Sequence, residues 1–153
     1  MGKDAPGTFI DDYLAYLLAR ASHLISAEFH VVVRRARLPV QQWRVLATLA
    51  DGQRLSIGEV AEIVLIPQST LTRVAERMVR TGLLLRAADE ADRRITRVRL
   101  SAKGLKLAGP LVEQARAHEA AVVQALGAAD ARTLKRILGR LIEQHARPRL
   151  DPR

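Results

Sequence analysis

The chain has 153 residues, 48% of them hydrophobic and 27% charged, which suits a single domain of ordinary size with its own core. Aromatic residues make up only 3% and cysteine is absent, so the core is aliphatic, and disulfides, thiol redox sensing and cysteine-bound zinc are excluded. The net charge of +9 favours a polyanionic partner.

No signal peptide and no apolar run long enough to span a bilayer is present, so a cytoplasmic protein without a membrane partner is expected. Met1 to Gly7 reads as a loose start. Thr8 with Asp11 forms a cap for a long helix running to about Arg37 and ended by Pro39. Leu14, Leu17, Leu18, Ala21, Leu24, Ile25, Phe29 and Val32 form its main apolar stripe. Tyr16, His23 and His30 recur every seven residues on nearly the opposite side. They suit packing, a pocket for a small aromatic or acidic effector, or a metal site. The histidines are two turns apart, roughly 10–11 Å along the axis. That separation is too wide for one metal unless His118 or a carboxylate joins them, and no metal or other cofactor is expected. Arg34, Arg35 and Arg37 sit where positive charge complements a helix C-terminus or where an anion could be anchored.

Gln41 to Ala50 reads as the next helix, with Trp43, Leu46, Ala47 and Ala50 toward the core. Trp43 is the only tryptophan. It reads as a core residue beside any effector pocket. Asp51-Gly52 turns the chain.

Ser56 opens a helix, and Glu59 three residues on completes a capping box. Ile57, Val60, Ala61 and Val64 then share one face. Pro67 ends this helix and suits the first turn of the next, which runs to about Thr81 with Gly82 as its C-cap. Leu71, Val74, Ala75, Met78 and Val79 share one side of that helix. Ser69, Thr70, Thr72, Arg73, Glu76, Arg77 and Arg80 share the other. Short hydroxyls let a backbone come close, and arginine can fork onto guanine or a phosphate. An ordinary solvated face is the alternative for this helix taken alone.

Next comes a hairpin. Leu83-Leu84-Leu85 is a short apolar strand, and Ala87 to Arg94 is a charged loop. Thr96, Val98 and Leu100 then alternate with Arg97 and Arg99. An arginine-tipped hairpin can enter a narrow minor groove. Asp92 is placed to hold Arg94 in pose across one residue. Residues 56–104 hold nine basic and six acidic side chains, and eight of the nine are arginines between Arg73 and Arg99. Their placement says more than the total charge does. An alanine- and arginine-rich chain can also reflect base composition alone.

Ser101 starts a long helix to about Leu126, with Ala108, Leu111, Ala115, His118 and Val122 as a seam for another helix and a bend expected at Pro110. Gly127 breaks the chain. Asp130 is placed to cap a last helix with Leu134, Ile137, Leu138, Leu141 and Ile142 as its stripe, ending before Pro148. Leu150 to Arg153 reads as a loose tail.

Several stretches in order resemble the MarR family of winged helix-turn-helix regulators. They are the helix Gln41 to Gly52, the segment SIGEVAEIV, the segment PQSTLTRVAERMVRTGLL, and Asp92-Arg93-Arg94 through Leu100 to Gly104. Ser101 stands where that family more often has threonine, and it should cap the next helix equally well. The resemblance implies a mainly α fold with a small β-hairpin wing: a winged helix-turn-helix lobe over residues 40–100 and dimerisation helices over 8–37 and 101–147, in one domain spanning 1–153. By the same resemblance Gln68, Ser69, Thr70, Thr72, Arg73 and Arg77 fall on the recognition helix. Arg94 falls on the wing arginine with Arg93 beside it, and Ser56 lies where a helix N-terminus meets phosphate. Tyr16, His23, His30 and Trp43 are the candidates for an effector pocket.

The expected protein is a homodimeric regulator, a repressor on double-stranded DNA, released from a near-palindromic operator by a small molecule, an aromatic acid by family analogy. A winged helix used only for protein contacts is the alternative, and the arginine-tipped wing speaks against it. An enzyme is not expected, because no nucleophile with a base, no phosphate loop and no paired carboxylates are present.

Overall fold

The computed structural model describes residues 7–146. The expected loose tail lies outside that range, as does nearly all of the expected loose start. The chain divides into two compact units between Ala115 and Arg116.

Thr8 caps as its neighbours dictate: its backbone N–H and its hydroxyl both donate to the Asp11 carboxylate, at 2.9 and 2.8 Å. The helix that follows is nevertheless only one turn, α1 (Phe9–Asp12). Tyr13 is extended, at φ −79° and ψ 108°, and a second helix, α2 (Leu14–Arg35), begins after it. The expected single helix from Thr8 to Arg37 is therefore two. No proline or glycine marks the break, so periodicity alone reads straight through it. The far end stops by its own closure. Arg37 adopts φ +56°, its N–H reaches the Arg34 carbonyl at 2.9 Å, and the Leu38 N–H reaches the Val33 carbonyl at 3.2 Å. This is a Schellman end, and the Leu38 and Val33 side chains are both buried beneath it.

Helix α3 (Val40–Leu49) buries Trp43, Val45, Leu46 and Leu49. Ala47 is half-buried and packs against the core as expected, Ala50 is half-buried, and Val45 and Leu49 are core residues in addition to those expected. A short strand β1 (Leu55–Ser56) leads into α4 (Ile57–Val64) and α5 (Gln68–Arg80). Strands β2 (Leu84–Ala88) and β3 (Thr96–Leu100) form the wing. The sheet has three antiparallel strands in the order β1-β3-β2, with Leu55 opposite Val98 and Leu84 opposite Leu100. The expected two-stranded hairpin thus gains a third strand. At two residues, β1 is too short to show alternation, and only its partner reveals it.

The core gathers buried faces from α2 to α5 and from the wing strands. Leu46 and Leu49 of α3, Leu71 and Met78 of α5, Leu84 of β2 and Val98 of β3 are all fully buried. Truncating any such leucine to alanine costs about 2–5 kcal/mol.

Helix α6 (Ala102–Leu126) runs on through Pro110. Its start is tied to the end of α5. The Ser101 hydroxyl donates to the Gly82 carbonyl and accepts the Gly104 N–H at 3.0 Å, while Lys103 Nζ donates to the Thr81 carbonyl at 2.7 Å. Gly104 is required here, because a Cβ would lie 2.2 Å from the Leu83 carbonyl oxygen. In the second unit, α7 (Ala128–His145) begins directly after Gly127, at φ +91°. Asp130 therefore does not cap it. It sits inside the first turn, where a carboxylate complements the helix dipole. Lys135 of α7 pairs with Glu119 of α6.

Candidate nucleic-acid interface

The interface starts from one buried face. Leu71, Ala75 and Met78 anchor α5 in the core, and the 3.6-residue period turns Ser69, Arg73, Arg77 and Arg80 outward. Both ends of this helix are fixed. Ahead of it, Leu65 takes φ +58° and the Ile66 N–H reaches the Ala61 carbonyl at 3.2 Å, closing α4. Pro67 is then the N-cap of α5 rather than its first residue. Behind it, Gly82 takes φ +77° and the Leu83 N–H reaches the Met78 carbonyl at 2.8 Å.

The expected residues of α5 divide by environment. Gln68, Ser69, Arg73 and Arg77 are exposed, and Thr70 and Thr72 are half-buried. The Thr72 hydroxyl donates to the Gln68 carbonyl at 2.9 Å. In that pose it has lone pairs to offer a base amino group and no proton for a phosphate. Ser56 is the converse. Its oxygen accepts the Glu59 N–H at 3.2 Å, so its hydroxyl proton remains available to an anion. The Ser56 N–H in turn reaches the Glu59 carboxylate at 2.8 Å, which completes the capping box.

Arg73 and Arg77 have no ion-pair partner among the described residues. With Thr70 and Val74 they line a concavity of about 240 Å³, closed on its other side by Pro39, Gln41 and Gln42 at the start of α3. The two glutamines extend the polar surface beyond the recognition helix. Sequence periodicity could not show this, because it depends on how α3 meets α5.

At the wing tip Asp92 holds Arg94 as expected. Its carboxylate takes the Arg94 backbone N–H at 3.0 Å and the guanidinium at 3.1 Å through both oxygens. Arg94 remains 91% exposed. Those bonds from Arg94 hold the Asp92 carboxyl below its ordinary pKa. Arg93 is exposed beside it. Arg97, by contrast, does not belong to a free cationic face: it pairs with Asp89 and with Glu59. The bond from Arg97, joined by the N–H groups of Asp92 and Ala91, lowers the Asp89 pKa to about 2.

The other candidates lie apart from this face. Trp43 is buried with its ring tilted against Phe29, the centroids 5.2 Å apart. His30 is half-buried, and burial, then the nearby Arg44, Arg34 and His23, push its pKa down. Tyr16 is half-buried and His23 exposed. None of the four lines the concavity beside α5. Among the described residues no three His, Asp or Glu side chains meet as a metal site, and no helix is long and apolar enough to cross a membrane.

Comparison with known proteins places this geometry. The family model that matches residues 38–95, the stretch from α3 to the wing, is that of the MarR family. A crystal structure of a MarR family transcriptional regulator from Silicibacter pomeroyi DSS-3 is similar at a TM-score of 0.80 and 42% identity, over 90% of this chain and 98% of that one. The chain belongs to the MarR family. Two further similar proteins share less identity with this chain. Bordetella bronchiseptica BpsR, whose DNA binding is regulated by 6-hydroxynicotinic acid, is 28% identical with a TM-score of 0.73, over 89% of this chain and 96% of that one. The homoprotocatechuate degradative operon repressor of Escherichia coli is 31% identical over 63% of this chain and 65% of its own length. The Silicibacter protein is a transcriptional regulator and the Escherichia coli protein an operon repressor. The matched stretch takes in the Asp92-Arg93-Arg94 wing tip, whose pose the structure explains by hydrogen bonds.

Proposed function

We propose that this MarR-family protein is a homodimeric, sequence-specific DNA-binding repressor, released from a near-palindromic operator by a small aromatic acid. One observation carries the DNA half: Arg73 and Arg77 of α5 and Arg94 of the wing are all exposed, while the residues that position them are buried or hydrogen-bonded. In this reading α5 enters a major groove with Ser69, Thr70, Thr72 and Arg73 toward the bases, and Gln68 and Arg77 at its margins. Arg94, with Arg93, meets an adjacent minor groove, and Ser56 donates to a phosphate.

Two subunits are needed for a second half-site, and exposed apolar side chains on α2 and α7 support that pairing. The effector class follows the BpsR ligand, an aromatic acid. Tyr16, His23 and His30, with the positive charge of Arg34 and Arg44 near His30, are the side chains we assign to it, and Trp43 is its fluorescent reporter. Such an acid need only prefer the dimer geometry that misses adjacent grooves; about 1–3 kcal/mol of preference changes DNA affinity roughly 5- to 150-fold. The site of action is the cytoplasm, and no catalytic role is proposed.

The test is an anisotropy titration with DNA from upstream of the protein's own gene against a scrambled duplex, at two salt concentrations. A preference for the native duplex that survives added salt supports the assignment. Equal binding that vanishes with salt reduces the affinity to net charge and turns attention to a protein partner.

A further inference from the structure

Arg97 lies on the strand that leaves the wing, and its guanidinium reaches three places at once. Nε donates to the Asp89 carboxylate in the wing loop. Nη1 donates to Glu59 Oε2 at 3.1 Å and to the Arg54 carbonyl at 3.3 Å. The same Glu59 oxygen takes the Ser56 N–H in the capping box of α4. Beyond Asp89 the run continues, because its other oxygen takes the N–H groups of Ala91 at 2.8 Å and Asp92 at 3.0 Å. Asp92 then grips Arg94. A continuous line of charge-assisted bonds joins the N-terminus of α4 to the wing tip.

The wing gains this line in addition to two backbone bonds at its tip, from the Asp89 N–H to the Ile95 carbonyl and from the Ile95 N–H to the Asp92 carbonyl, each 2.9 Å. Its tip, residues 89–95, lies beyond the last paired residues of β2 and β3, and Arg93, Arg94 and Ile95 at the tip are exposed. The hairpin meets β1 through only two residue pairs. The participating side chains are withdrawn from solvent relative to the tip: Asp89 is 12% exposed, Glu59 26% and Arg97 34%, against 91% for Arg94. Charge-assisted bonds with several shared partners hold geometry better than a single surface pair. A loop ordered in advance does not have to be ordered on binding.

We propose that Arg97 is a positioning residue that orders the wing loop through Asp89 and Glu59, so that Arg94 is presented at a fixed place relative to α5, and that Arg97 itself makes no DNA contact. The effect on DNA rests on the wing-contact reading above; the ordering of the loop does not.

The two are separated by measuring the free protein first. In Arg97→Ala and Asp89→Asn, amide hydrogen exchange at Ala91 and Asp92 should quicken about tenfold or more while Leu71 and Met78 keep their protection. Arg97→Gln serves if the alanine variant does not fold. Unchanged exchange at Ala91 and Asp92 overturns the proposal whatever the DNA shows. On the upstream duplex, Arg97→Ala should weaken binding about five- to tenfold, and should add nothing in an Arg94→Ala background. Full additivity of the two would make Arg97 a separate phosphate contact and also overturn it. An Arg94→Ala variant that binds normally would remove the wing contact instead, leaving the exchange result to decide the role of Arg97.

Discussion

Arg73 and Arg94 carry the same charge into different surroundings, and they should fail differently. Arg73 stands on a rigid helix beside a concavity, without an ion-pair partner among the described residues, free to fork onto one base. Arg73→Ala should cost about 1–3 kcal/mol and relax preference at a single operator position. A panel of single-base operator variants reads this directly, and a uniform loss across the panel would mark a phosphate contact instead. Gly104 makes a sharper structural test. A Cβ there meets a backbone carbonyl at 2.2 Å, and a carbonyl already accepting the Ser101 N–H at 3.0 Å cannot swing away cheaply. Gly104→Ala should therefore destabilise by about 1–3 kcal/mol, the usual range for overpacking, and lower the midpoint of thermal unfolding. Both residues were legible in the sequence, but for different reasons. Arg73 follows from helical period, whereas Gly104 entered only as part of a family signature, and its steric cause needed coordinates.

At the scale of elements, what the sequence showed was whatever is written in neighbours. The Ser56–Glu59 capping box, the Gly82 turn and the Asp92–Arg94 grip are local, with bonded partners no more than five positions apart, and all three form. What stayed hidden depends on distant partners or on conformations no residue type announces. Strand β1 exists only because β3 lies beside it, Tyr13 breaks a helix without a breaker residue, and Arg97 finds Glu59 38 positions away. Asp130 was misplaced because a glycine at φ +91° starts α7 three residues earlier. The wing clasp also has a signature in acid. Asp89 has its pKa lowered from 3.8 to about 2, so the folded state favours its charged form. The stability this contributes is complete above about pH 4 and is lost as pH falls through about 2. Wild-type protein should lose more stability than Asp89→Asn across that window, measured by chemical denaturation at each pH. Parallel losses in the two proteins would mean the clasp does not stabilise the fold.

For the whole molecule, the apolar surface left uncovered points to a second chain. On α2, Leu14 is 57% exposed, with Leu17 and Leu24 similarly open; on α7, Ile142 is 68% exposed. A winged-helix lobe has no use for these side chains, yet they fall on the stripes that helical period assigns to a packed face. If they meet a partner subunit, a two-fold axis sets two copies of α5 at one turn of DNA, about 34–36 Å apart. Affinity then depends on both lobes binding together, since linking two modules raises binding by about 10²- to 10⁴-fold without any new contact. Leu17→Asp with Ile142→Asp should give a monomer by light scattering whose lobe still folds, because neither side chain is part of the buried core. That monomer should lose operator affinity by a factor in this range while keeping its preference among single-base variants, which belongs to each α5 alone. Retention of full affinity by a proven monomer would mean that one lobe suffices, and the near-palindromic operator would lose its reason.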